Sequence, residues 1–218
     1  MGKIVSSASR RDAPARGQLP PDAFSLYAPD STAGGGRKYL NRDERKRVLG
    51  ACTMLDIRPA LFILVLAWTG ARVSEILALT PRAIQAERSL ISIVTLKRRR
   101  WSVREVPVPP ELMRSLAQEF SLLAAQQDQH DCTARLWPMH RSTAWRLVKR
   151  VMADASVSGR AACPRGMRHA FGVGIVQAGV PITLLQRWMG HARLSTTAIY
   201  STVSGPEELA MAKKFWDG

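Results

Sequence analysis

The chain has 218 residues, 46% of them hydrophobic, and a formal net charge of +15 from 32 basic against 17 acidic side chains. That length accommodates one domain with a real core plus a tail, and that charge calls for a polyanionic partner, nucleic acid or an anionic membrane. Of the basic residues, 25 are arginine, the side chain whose planar fork of donors grips phosphate. The longest apolar run, Pro59 to Gly70, is too short to cross a bilayer, and the N-terminus carries no signal-peptide core. Cys52, Cys132 and Cys163 are scattered without paired spacing, which excludes a disulfide framework and a zinc finger. Composition therefore predicts a soluble chain of a reducing compartment that touches nucleic acid.

Residues 1–38 hold Pro14, Pro20, Pro21, Pro29 and the run Gly34-Gly35-Gly36 with no sustained periodicity, which predicts a flexible arm or linker. From Tyr39 the texture changes. Asn41 suits an N-cap, Asp43 and Glu44 suit a first turn, and apolar positions recur through Val48, Leu49, Cys52 and Leu55. Pro59 opens a second helix, nearly all apolar to Trp68, the pattern of a buried core helix. Thr69-Gly70 breaks it, and a short third helix runs from Arg72 to Leu79 ahead of Pro81. Leu90–Leu96 and Val103–Val108 alternate and are β-branched, with a basic turn between them, which predicts a hairpin. Beyond Pro110 the period is helical over Glu111–Gln126, Ser142–Ala153, Gly166–Ala178, Ile182–Met189 and Ser195–Val203, with a last short segment over Pro206–Trp216. The fold class is mostly α with one small antiparallel β-sheet, an α+β chain without internal repeats.

Four groups of polar residues stand out against that frame. Thr69-Gly70-Ala71-Arg72-Val73-Ser74-Glu75 places an arginine just past a helix break. Lys97 heads the turn of the hairpin and is followed by Arg98, Arg99 and Arg100. Pro164-Arg165-Gly166-Met167-Arg168-His169 opens a helix with two arginines three apart, hence on one face. Met189-Gly190-His191 closes a helix with a histidine, and Tyr200 follows nine residues later, after Ser195-Thr196-Thr197. In these boxes, their order and the His-to-Tyr interval, residues 39 to 203 resemble the catalytic domain of the tyrosine recombinases, the phage-integrase family. That family's boxes read T-G-x-R-x-S-E, a hairpin lysine, H-x-L-R-H, and L-G-H with a tyrosine nine residues on.

The resemblance implies a DNA breaking-rejoining fold and a division of labour among these side chains. Arg72 and Arg168, permanently charged and bidentate, would stabilise the charge that builds on the non-bridging oxygens of a pentavalent phosphate. Lys97 would protonate the leaving 5′ oxygen, His191 would donate to the same phosphate, and Tyr200 would be the nucleophile that forms a 3′-phosphotyrosyl link. Glu75 would buttress Arg72, and His169 would be a packed histidine. No metal or nucleotide cofactor is implied, and the sequence has neither a carboxylate cluster for magnesium nor a Gly-rich phosphate loop. His130 and His140 take no role. One position departs from the family, because Arg165 stands where a histidine is usual. Arginine cannot act as a base, yet it supplies charge and favours a nearby tyrosinate, so activity is expected to survive.

Arg98, Arg99 and Arg100 on the hairpin, and Arg141, Arg146 and Lys149 on the helix after His140, are the expected duplex contacts. Residues 1–38 would be a flexible tail, 39–204 the catalytic domain, and 205–218 a C-terminal tail that docks on a neighbouring protomer or packs in cis. The chain resembles short family members without the usual N-terminal DNA-clamping domain. The implied activity is site-specific recombination of duplex DNA, for integration, excision or resolution of a mobile element, in a homo-oligomeric, tetrameric synapse with accessory DNA-binding proteins. The implied location is the cytoplasm, on the nucleoid of a bacterium. Two alternatives stay open: a DNA-binding regulator of the same fold with impaired catalysis, and a type IB topoisomerase-like nicking-closing enzyme.

Overall fold

The computed structural model describes residues 37–95 and 102–200. Asn41 caps α1 (Arg42–Ala51) through a capping box, its side chain accepting from the Glu44 amide at 2.8 Å while Glu44 accepts from the Asn41 amide at 2.8 Å. A 3₁₀ turn at Cys52–Met54 leads to α2 (Ile57–Thr69). This helix starts two residues earlier than Pro59 suggests, because a proline in the first turn removes an amide that has no partner there. Leu61, Phe62, Ile63, Val65 and Leu66 are all buried, and each large apolar side chain that leaves water contributes roughly 1.5–3 kcal/mol. Gly70 ends α2 with φ of +60°, a conformation that glycine adopts without a Cβ penalty. The helix expected over Arg72–Leu79 shrinks to a single turn, α3 (Val73–Ile76), with Arg72 outside it as the N-cap.

Three antiparallel strands follow in the order β1 (Ile84–Gln85), β2 (Leu90–Val94) and β3 (Val103–Pro107). Ile91 faces Val106 and Ile93 faces Arg104 across the hairpin. The two-residue β1 is too short to leave a periodic trace in the sequence. Strand β2 ends at Val94, and the hairpin turn with Lys97, Arg98, Arg99, Arg100 and Trp101 lies outside the described residues.

The single helix expected over Glu111–Gln126 is two, α4 (Pro110–Glu119) and α5 (Leu122–Gln127). Ser121 breaks it at φ of +44°, and Phe120 meets Trp137 edge-on at 5.3 Å while Leu122 enters the core. Packing with a distant tryptophan overrides the local period. The chain continues through α6 (Arg141–Asp154), α7 (Pro164–Gln177) and α8 (Ile182–Met189). Helix α9 (Ser195–Ala198) is one turn, shorter than the expected Ser195–Val203, and Tyr200 lies just past it. The expected Pro206–Trp216 segment lies outside the described residues.

The main core is built on α2, which packs against α7 and α4. A second, smaller cluster joins Tyr39, Phe171, Val173, Leu185, Met189 and Tyr200. Among the described residues no helix is long and apolar enough to cross a membrane.

Candidate active site

Helix ends build this site. Arg168, in the second turn of α7, donates from Nη1 to the carbonyl of Gly70 at the end of α2, and from Nη2 to the carbonyl of Met189, the last residue of α8, at 2.7 Å. Those carbonyls have no partner within their own helices and carry the negative end of the helix dipole, so they attract a cation. Arg168 thus ties the two helix ends that precede Arg72 and His191 in sequence. Burial, and then the Arg72 charge, lower its pKa to about 10, with Tyr200 and Glu75 opposing. It remains a cation at neutral pH.

Arg72 is set by Glu75. The Arg72 Nη1 reaches Glu75 Oε1 at 2.8 Å, and the Arg72 amide reaches Oε2 at 2.9 Å. Glu75 is fully buried and is shared with Arg104, whose Nη2 lies 2.7 Å from Oε2. Burial alone would raise the Glu75 pKa, but the Arg104 charge and hydrogen bond, with help from Arg72, hold it below the usual carboxylate value. The Arg72–Glu75 pair read from the sequence is present, and the guanidinium of Arg72 stays partly open, its side chain 29% exposed.

His191 follows Gly190, the left-handed C-cap of α8. Its Nε2 lies 3.0 Å from Arg168 Nη2 and its Nδ1 lies 2.9 Å from Thr197 Oγ1. A guanidinium has no acceptor, so Nε2 receives the first bond with its lone pair, and Nδ1 carries the proton towards Thr197. Burial and the charges of Arg168 and Arg72 lower the His191 pKa to about 3.

Tyr200 is 1% exposed. Its ring lies parallel to that of His191 with centroids 6.4 Å apart, and it fills a slot beside Gly172, where a Cβ would stand 2.5 Å from Tyr200 Cε1. Its hydroxyl lies 3.0 Å from His169 Nδ1. Burial raises the Tyr200 pKa to about 12 against the opposing pull of Arg168 and Arg72. Burial, followed by the charges of Arg168 and Arg165, lowers that of His169 to about 4. In this arrangement the phenol keeps its proton and faces a neutral imidazole inside the protein.

Of the residues singled out in sequence, Arg72, Arg168, His191 and Tyr200 fall in one connected cluster. Arg165 sits in the first turn of α7, exposed, with no hydrogen bond or ion pair among the described residues, and acts on the cluster through its charge on His169. Arg141 and Arg146 are exposed on α6, where Arg146 contacts Thr143. Lys149 donates to the Ala162 carbonyl at 3.0 Å and lies over the half-exposed Trp145 ring. Sequence reasoning passed over Arg104, Thr197 and the contact between His169 and the tyrosine. Among the described residues, one grouping of metal-type ligands occurs, Asp128, His130 and Asp131 on an exposed turn. There Asp128 already accepts from the amides of His130 and Asp131.

Residues 38–205 match the phage integrase family. The chain belongs to that family. Its catalytic-domain fold is shared with the crystal structure of XerA recombinase, at a TM-score of 0.68 and 25% identity over 85% of this chain and 66% of that one. The catalytic domain of bacteriophage HP1 integrase has the same fold, with a TM-score of 0.59 and 22% identity over 81% of this chain and 94% of that one. In sequence, the family member described here is 32% identical to tyrosine recombinase XerA of Thermococcus kodakarensis over 77% of this chain and 58% of that protein. It is 27% identical to tyrosine recombinase XerD of Haemophilus ducreyi over 82% of this chain and 62% of that protein. The integrase-family chain thus spans about three fifths of the length of these curated relatives.

Proposed function

We propose that this chain cuts and rejoins duplex DNA as a site-specific tyrosine recombinase. The observation that carries this reading is the convergence of Arg72, Arg168, His191 and Tyr200, from separate helix ends, on one hydrogen-bonded and electrostatically coupled cluster. Tyr200 Oη attacks the scissile phosphorus, the bond from phosphorus to the 5′ oxygen breaks, and a 3′-phosphotyrosyl ester forms. The phenol gives up its proton as the new bond forms, and the 5′ oxygen takes one from Lys97. Arg165 cannot accept the phenol proton, whereas His169 is within hydrogen-bond reach of it. Arg72 and Arg168 neutralise the charge that grows on the phosphate. Attack by the 5′ hydroxyl of a second strand then reverses the step and completes exchange.

Because Tyr200 is sealed away, its side chain must leave the slot beside Gly172 to reach a phosphate held by Arg72. Arg98, Arg99 and Arg100, with Arg141, Arg146 and Lys149, contact the duplex backbone. Several copies assemble on paired sites, the segment from Pro206 docks on a neighbouring copy, and the target belongs to a mobile element. The cytoplasm suits its three cysteines, which are all free.

The test traps protein on DNA. The chain is incubated in EDTA with a random pool of nicked duplexes, in which cleavage strands the 5′ fragment and prevents religation. Covalent adducts are resolved under denaturing conditions and their DNA is sequenced. Wild type is expected to form an adduct, and Tyr200→Phe is expected to bind the same duplexes without forming one. The buried hydroxyl and Arg165 favour a second reading, a DNA-binding regulator that has lost the chemistry. Tight binding with no wild-type adduct would establish it. A nicking-closing enzyme would form the adduct yet fail to recombine paired sites.

A further inference from the structure

We propose that Arg104 is a positioning residue for strand cleavage, a buried guanidinium that fixes Arg72 and the His191 end of α8 relative to each other. The inference rests on the reading of the site given above. Arg104 is 5% exposed and lies on the inward face of β3, opposite Ile93. Its Nη2 donates to Glu75 Oε2 at 2.7 Å, its Nη1 to Thr95 Oγ1 at 3.0 Å and its Nε to the Trp188 carbonyl at 2.7 Å. Those partners belong to α3, to the residue just past β2 and to the last turn of α8.

Each contact leads to a group assigned a chemical role. Glu75 passes the constraint on, since its two oxygens also hold the Arg72 side chain and amide. Trp188 lies three residues before His191. Gly190, between them, is pressed so closely on Arg104 that a Cβ would stand 3.1 Å from Nη1 and 3.1 Å from Thr95 Oγ1. Thr95 is the last described residue before the turn that carries Lys97. A simple strand would place an aliphatic side chain at this inward position, because burying a charge is unfavourable unless it is paired and hydrogen-bonded. A planar fork can meet three partners in fixed directions, and a lysine, a single point charge, cannot. Its side chain is almost closed to solvent, so Arg104 acts through Arg72 and His191 and not on DNA.

The test uses the full chain and the nicked duplex recovered by trapping. Adduct formation is followed in a single turnover at saturating protein, and duplex affinity is measured separately. Arg104→Lys keeps a cation beside Glu75, so it is expected to melt within a few degrees of wild type and to bind DNA within about twofold, yet to form adduct about tenfold more slowly or worse. A methylphosphonate at the scissile position removes a charge that Arg72 and Arg168 neutralise, so the deficit is expected to shrink on that duplex. A deficit due to lost folded protein would be equal on both duplexes. Thr95→Val, which removes one arm while leaving the ion pair, is expected to slow the adduct by about threefold.

Arg104→Lys cleaving within about threefold of wild type overturns the proposal. So does a rate loss that follows the melting temperature or is undiminished on the methylphosphonate. Wild type and Tyr200→Phe run alongside. A Tyr200-dependent adduct with Arg104→Lys unimpaired removes this proposal alone, whereas no adduct from wild type removes the site reading and this proposal with it.

Discussion

His169 and His191 are held neutral in the folded chain, at about 4 and about 3, by burial first and then by the Arg168 charge. In the unfolded chain both would take protons near the ordinary imidazole value of about 6.5. As pH falls below that value, protons therefore bind the unfolded state in preference, and stability declines until the folded pKa values are reached. The melting temperature is expected to fall between about pH 6.5 and pH 4, and His169→Gln to make that fall shallower. A flat profile across this window, measured by circular dichroism, would contradict the buried neutral assignment. Neither histidine titrates near neutrality, which gives Arg165 a clean test. Arg165→His adds a group that titrates at about 6.5, so the adduct rate should gain a step there that wild type lacks. Box spacing made Arg72, Arg168, His191 and Tyr200 legible because each motif is local in the chain. His169 and Arg104 were not legible, since their partners Tyr200 and Glu75 lie 31 and 29 residues away. In β3 the alternation does turn Arg104 inward with Val106, but nothing in the strand itself names the carboxylate that neutralises it.

Helices deliver the site largely through their termini, and the glycines packed against it are sensitive positions. Gly172 lies within α7, and its missing Cβ is the space occupied by the Tyr200 ring. Gly172→Ala is expected to push the ring out, so Tyr200 should be nitrated faster than in wild type while the melting temperature drops. Gly70 combines a positive φ with a Phe171 Cδ1 that would lie 2.4 Å from a Cβ. Gly70→Ala should destabilise the fold by about 1–3 kcal/mol, from backbone strain and the contact together, in denaturant unfolding. Periodicity gave α2, α7 and α8 nearly intact because each presents a long apolar face. It failed at Phe120-Ser121, where the break serves a contact with Trp137, and at α3 and α9, which are too short to hold a period and exist to set one residue each.

For the whole molecule, the excess of positive charge matters more than any single contact. Binding should weaken linearly in log affinity against log salt, with a slope of about −0.9 for each phosphate neutralised. Replacing Arg98, Arg99 and Arg100 by serine should flatten that slope by up to about three units in fluorescence anisotropy, while leaving the melting temperature unchanged. An unaltered slope would remove the hairpin from the duplex interface. On the proposed reading, charge of this kind would draw the chain to any DNA, and choice among sequences would then rest on the few side chains that reach base edges.

Arg168 belongs to the architecture as well as to the proposed chemistry, since it closes the ends of α2 and α8 at once. Removing it would loosen both helices. Removing the hydroxyl of Tyr200 would leave a phenyl ring still filling the slot beside Gly172. On the proposed chemistry, a descendant released from selection for cutting DNA would therefore shed an oxygen long before it shed the arginine. Along such a lineage the guanidinium would record that the protein still folds, and the phenolic oxygen would record that it still cuts.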